Sequence, residues 1–221
     1  LYSSAASDVY KRQTISSGTI RIGNNTATGS FGTGDVINQG NVTFHRNFAN
    51  TVSRIFTGTG SITQQGSGAL TLSGANTHTG GTYVEASTTL VATNLSALGV
   101  GTVTIKSAGT LDLQAAGTFT LSALNMVASS AITNSSTTSN LNVAGTSNLF
   151  GTVTTTGTQT YNGAATVGGT STLTTTNSAI TFNSTIASGI NEQAALQLLG
   201  AGAYRYGSTI TGTATATATT L

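Results

Sequence analysis

From Thr14 onward apolar and polar residues alternate in short runs, and each run opens on a glycine followed by a small polar residue. The phrase appears as Gly18-Thr19-Ile20-Arg21-Ile22, Gly40-Asn41-Val42-Thr43-Phe44, Gly60-Ser61-Ile62-Thr63, Gly81-Thr82-Tyr83-Val84 and Gly101-Thr102-Val103-Thr104-Ile105. The last four of these glycines are separated by 20, 21 and 20 residues. A second apolar series, Leu70, Leu90, Leu111, Ile132, Val153 and Leu173, advances in steps of 20, 21, 21, 21 and 20. Alternation with period two predicts strands with one buried face. A period near 20 makes each unit several short strands joined by turns, and such a unit buries its apolar face only by stacking on its neighbours. The pattern therefore predicts an all-β fold, a single-stranded parallel β-helix with about 20–21 residues per coil. About ten coils at a strand spacing of roughly 4.8 Å give a rod on the order of 50 Å. An antiparallel sandwich also has short strands and glycine turns, but it does not hold one apolar register across most of a chain.

The same alternation makes predictions at single strands. In Gly109-Thr110-Leu111-Asp112-Leu113-Gln114, Leu111 and Leu113 share the inner face and Asp112 takes the solvent side, so Asp112→Leu should leave stability nearly unchanged. Ser129 to Asn140 are almost wholly Ser, Thr and Asn and read as a polar turn or loose coil. Within 190–203 the pattern departs: Asn191 suits a helix cap, Glu192 a first helical turn and Gly200 a stop, which leaves a short helix and an irregular strand or insert both open. Thr209 to Thr220 return to alternation, as another coil.

Composition narrows the class. Charged residues make up 5% of the chain, against the usual quarter, and proline, cysteine and tryptophan are absent. No run approaches the roughly 20 apolar residues of a membrane-spanning helix. The abundance of Thr, Val and Ile argues against disorder, because β-branched residues favour strands. The net charge of +2 is small and scattered, which gives no nucleic-acid footprint. A chain without cysteine does not rely on disulfides and suits export in an unfolded state.

Residues Gly68-Ala69-Leu70-Thr71-Leu72-Ser73-Gly74-Ala75-Asn76-Thr77-His78-Thr79-Gly80-Gly81-Thr82 resemble the autotransporter-associated β-strand repeat, and 97–103 and 109–113 continue it. Thr158-Gln159-Thr160-Tyr161-Asn162-Gly163-Ala164-Ala165-Thr166-Val167 and 179–186 resemble a unit of filamentous-haemagglutinin-like proteins. The resemblance implies a right-handed β-helix, secreted or displayed at the cell surface after export across the outer membrane of a Gram-negative bacterium. It implies no catalytic residues and no cofactor. Ser3 to Gln13 resemble the in-frame translation of a sequencing-library adapter and are set aside as a non-native scar. Without residues 1–13 the charge is five basic against four acidic, a net of +1. The expected organisation is one continuous solenoid, with autotransporter-type coils over 14–128 and haemagglutinin-like coils over 129–221. A first residue of Leu and the absence of a secretory signal read as a piece of a longer protein, so signal peptide and translocator are expected elsewhere.

Candidate chemistry is sparse. Sugar-cleaving enzymes also use parallel β-helices, and a glycosidase needs two carboxylates about 5–9.5 Å apart. The native acids Asp35, Glu85, Asp112 and Glu192 are spaced so that no two fall on adjacent rungs of one face. His45 and His78 lie 33 residues apart without a neighbouring acid or cysteine, which leaves metal and nucleophile roles without partners. The glycines of Gly29-Ser30-Phe31-Gly32-Thr33-Gly34 lack the following Lys-Ser or Lys-Thr of a phosphate loop and read as turns. Arg46 and Arg54 bracket a small positive region, read as a solvated turn or a contact for a glycan or phosphate. Sequons at Asn24, Asn41, Asn94, Asn134 and Asn183 are expected by chance in so Asn- and Thr-rich a chain. No catalytic, cofactor-binding or metal residue is assigned. The expected role is a non-catalytic passenger segment, a stalk or an adhesin that meets surface glycans, proteins or its own kind. The alternatives are a β-helix lyase or hydrolase and, from runs such as Thr213 to Thr217, an ice-binding face.

Overall fold

The computed structural model describes residues 12–188 apart from 136 and 169, together with the backbone of strands within 195–219. Every strand pairing is parallel, and the described residues contain no helix. The chain winds through three faces per coil. One is a ten-stranded ladder running from Thr19–Thr26 to Ile210–Thr211, and another a nine-stranded ladder from Asn50–Val52 to Thr215–Thr219. The remaining face is split into a three-stranded sheet, Gln13–Ile15 to Phe56–Thr57, and a five-stranded sheet, Gly117–Leu121 to Tyr204–Tyr206. This is the β-solenoid that the 20–21-residue period requires.

The apolar series is the spine of the nine-stranded ladder. Leu70 pairs with Leu90, Leu90 with Leu111, Leu111 with Ile132, Ile132 with Val153 and Val153 with Leu173. All six are buried, and Leu72, Ala92 and Leu113 form a second inner column beside them. Each leucine taken fully out of water contributes about 1.5–3 kcal/mol. In the five-stranded sheet Tyr161 stacks on Phe182 with ring centroids 4.9 Å apart. Its buried hydroxyl donates to Gln159 Oε1 at 3.0 Å.

The glycine phrase is displaced by one residue at one coil. Ile62 pairs with Thr82, and Thr82 with Val103, so it is Gly80, not Gly81, that aligns with Gly60 and Gly101. The physical reason is the corner itself. A Cβ on Gly60 would overlap the Gly40 carbonyl, and one on Gly80 would overlap Gly60, so the column needs glycine where backbones meet. Gly81, at φ +94°, supplies a left-handed residue at the next position.

Two other expectations change. In the stretch left open between a helix and an irregular strand or insert, Ala195–Leu199 is a strand: Leu173 pairs with Leu198, and Leu198 with Ala218. Backbone partners on both sides outweigh a modest helical preference. The other residues around it, 189–194 and 200–203, lie outside the described residues, as do 1–11 of the adapter-like segment. Ser129 to Asn140 are not a loose coil. Ala131–Thr133 and the start of Ser139–Val143 are strands, and Asn134, Ser135, Thr137 and Thr138 lie between them outside any strand.

Candidate functional site

The face that interrupts the split sheet is held by side chains. Residues 73–81 and 93–102 contain no strand. There Asn76 spans three coils: its Oδ1 accepts from the Phe56 N–H at 2.8 Å and its Nδ2 donates to the Ala97 carbonyl at 2.6 Å. His78, also fully buried, lies 3.0 Å by Nε2 from the Thr82 hydroxyl, which donates on to the Leu98 carbonyl at 2.9 Å. Burial, partly offset by the Gly81 backbone, lowers the His78 pKa to about 4. The imidazole is therefore a neutral core group bound to a threonine, with no acid beside it to make it a base or a ligand.

The carboxylates are dispersed. Asp35, just before the Val36–Asn38 strand, accepts from the Ile55 N–H at 3.0 Å. Glu85 forms an ion pair with Lys106, 2.9 Å away on the neighbouring coil. Asp112 is on the nine-stranded ladder, and Glu192 is outside the described residues. No carboxylate is hydrogen-bonded to another, and no three of His, Cys, Asp and Glu gather among the described residues.

Asp112 corrects the expectation of a solvent-facing acid. Its side chain does point away from Leu111 and Leu113, but the loop of the next coil folds over it and leaves it 8% exposed. Its oxygens accept from the Ser135 N–H at 3.1 Å, the Ser135 hydroxyl at 2.6 Å and Gln114 Nε2 at 2.7 Å. Period-two reasoning gives the direction of a side chain; it is blind to a loop 23 residues later in sequence. Asn134 braces the same loop. Its Nδ2 donates to the Leu113 carbonyl at 2.5 Å, and its Oδ1 lies 2.6 Å from the Thr156 hydroxyl. Asn134, Ser135, Thr137, Thr138 and Thr156 line an open polar recess of about 400 Å³.

Both arginines are half-buried and hold neighbouring segments. Arg46 donates to Asn50 Oδ1 at 2.9 Å and to the Ala27 carbonyl, while Arg54 lies 5.5 Å from the Phe31 ring centroid. Together they pin the 27–35 loop, whose Phe31 packs edge-on against Phe44 and Phe56 at 6.0 and 5.8 Å. His45 accepts from Arg21 at 2.5 Å; partial burial, then the Arg21 charge, hold its pKa below the ordinary histidine value. Neither the Phe31 lid nor the Asn76 bridge was read from the sequence. A lone aromatic in a glycine loop and one Asn among many carry no periodic signal.

No helix among the described residues is long and apolar enough to cross a membrane, which leaves β-barrels unaddressed. No curated protein and no solved structure matches the chain. Residues 62–91 match the family described as passenger-associated-transport-repeat, so solenoid and repeat together establish a likeness to autotransporter passenger repeats over the coils where Gly68 to Thr82 first suggested it.

Proposed function

We propose that this chain is a non-catalytic segment of a secreted or surface-displayed passenger β-helix, a stalk that holds other parts of its protein away from the cell. The observation that carries this reading is the register from Leu70 to Leu173 in coils that include the repeat match at 62–91. A side-chain column repeated coil on coil supplies length and stiffness. The dispersed carboxylates and the neutral His78 supply no acid–base pair. Export across a Gram-negative outer membrane is the route such passengers take and belongs to the same proposal.

The polar recess at Asn134 to Thr156 favours adhesion as a second reading, with surface glycans or proteins as partners. Beads coated with the purified chain, tested on a glycan array and on cells, separate the two. A stalk gives no saturable binding. Saturable binding that is lost on Thr137→Val with Thr156→Val makes the chain an adhesin and overturns the pure spacer reading.

A further inference from the structure

Three features of the 73–102 region lie outside the stalk proposal: a face without strands, a fully buried histidine, and one ring nitrogen of that histidine without a partner. The Thr82 hydroxyl donates its proton to the Leu98 carbonyl, so it receives one from His78 Nε2. The neutral ring thus carries its hydrogen on Nε2 and leaves Nδ1 bare. Nδ1 is buried and has no hydrogen-bond partner. Gly99 is built against that edge, since a Cβ there would sit 2.6 Å from Cε1 and 2.7 Å from Nδ1. The Val100 N–H donates to the His78 carbonyl at 3.0 Å, which ties the two segments together beside the ring.

We infer that His78 is an acid-sensitive latch: protonation at Nδ1 drives the ring out of its pocket and locally opens the seam between 73–81 and 93–102. A second proton, on Nδ1, meets Gly99 where an acceptor would be needed, and the Gly81 backbone, which favours the charged ring, offsets only part of the cost of burying it. No acid is positioned to compensate. Thr82, Gly99 and the Gly81 backbone lie against the ring, and no charged side chain contributes to its shift. Elsewhere continuous ladders would resist such an opening. Here 73–81 and 93–102 are joined by Asn76 to Ala97, by isolated backbone bonds such as Val100 N–H to the His78 carbonyl, and by Thr82, held by the His78 ring, to Leu98, while the ladders through Thr82–Val84 and Thr89–Ala92 persist on the other two faces. The opening is therefore confined to one face and leaves the rod intact.

The direction with pH follows from linkage. A histidine near 6.5 when exposed and near 4 when buried stabilises the closed seam above pH 6.5, and that contribution is lost as pH falls toward 4. The opening equilibrium should rise about tenfold per pH unit across that window. Hydrogen exchange by mass spectrometry on the whole chain, expressed as protection factors at pH 7 and pH 4.5, tests this. The latch predicts that peptides within 73–81 and 93–102 lose protection by about two orders of magnitude while those within 152–175 hold theirs, and that His78→Gln removes the difference. Equal change in all peptides, no change, or an undiminished response in His78→Gln overturns it. Should the variant fail to fold, NMR titration of the wild-type imidazole decides. A midpoint near 6.5 with seam protection unchanged contradicts the latch, and a ring still neutral at pH 5 supports it.

Discussion

Asp112 and Ser135, 23 residues apart, are joined twice: the carboxylate accepts from the Ser135 N–H at 3.1 Å and from its hydroxyl at 2.6 Å. The acid on an outward position is thus the anchor of the loop that covers it. Asp112→Leu removes the acceptor that Ser135 and Gln114 share; Ser135 is exposed and Gln114 Nε2 keeps the Ser135 hydroxyl at 2.9 Å, so the cost is that of the lost bonds to a charged group, about 1.5–3 kcal/mol. Urea melts should place this variant clearly below wild type, with Asp112→Asn between them.

Leu111, one position earlier, sits between Leu90 and Ile132 and is wholly buried. Leu111→Ala should cost about 2–5 kcal/mol through lost burial and a residual cavity. Leu111→Asp should abolish cooperative unfolding of the region. If Asp112→Leu proves more damaging than Leu111→Asp, the strand faces the other way.

A column of left-handed corners offers a gain instead of a loss. Ser87, Ala108 and Ser129 have φ of 58, 57 and 64°, each at the third position of a turn closed by Thr88, Gly109 or Ser130 donating three residues back. A side chain in that conformation costs roughly 1–2 kcal/mol, against about 0.5–1 for glycine's extra freedom in the unfolded chain. Ala108→Gly should therefore raise the denaturation midpoint slightly, by up to about 1 kcal/mol in stability. A fall beyond that size would mean the Ala108 methyl packs usefully at the corner.

Catalysis is tested directly. Reducing-end and unsaturated-product assays with pectin, chitin and peptidoglycan should show no turnover. Activity that disappears in Glu85→Gln or Asp112→Asn would make this a carbohydrate-active enzyme.

The core was legible in sequence because it is periodic. Leu70 through Leu173 recur every 20–21 residues, and the solenoid stacks them in that order. Features that occur once were not legible. Gly80 and Gly81 adjoin, so the phrase alone does not say which is the corner. Asn191 and Gly200 mimic helix ends, yet Ala195–Leu199 extends a ladder already begun by Leu173. The burial of Asp112 depends on a loop one coil later, and the burial of His78 on a glycine 21 residues on, Gly99. Local pattern has no access to either.

Coils stack as interchangeable units in one register, and a pair of deletions tests this most directly. Thr110 pairs with Ala131, so removing Thr110–Ser130 takes out one 21-residue coil and lets Ala131 stack on Thr89. Removing only Thr110–Phe119 takes out half a coil and puts every later strand on the wrong face. Denaturant unfolding followed by far-UV circular dichroism should show the whole-coil deletion folded and cooperative, with a slope lower by about a tenth, because that slope follows the surface exposed. The half-coil deletion should lose its transition. Equal loss in both, or a more stable half-coil deletion, would contradict a solenoid built from nearest-neighbour coils.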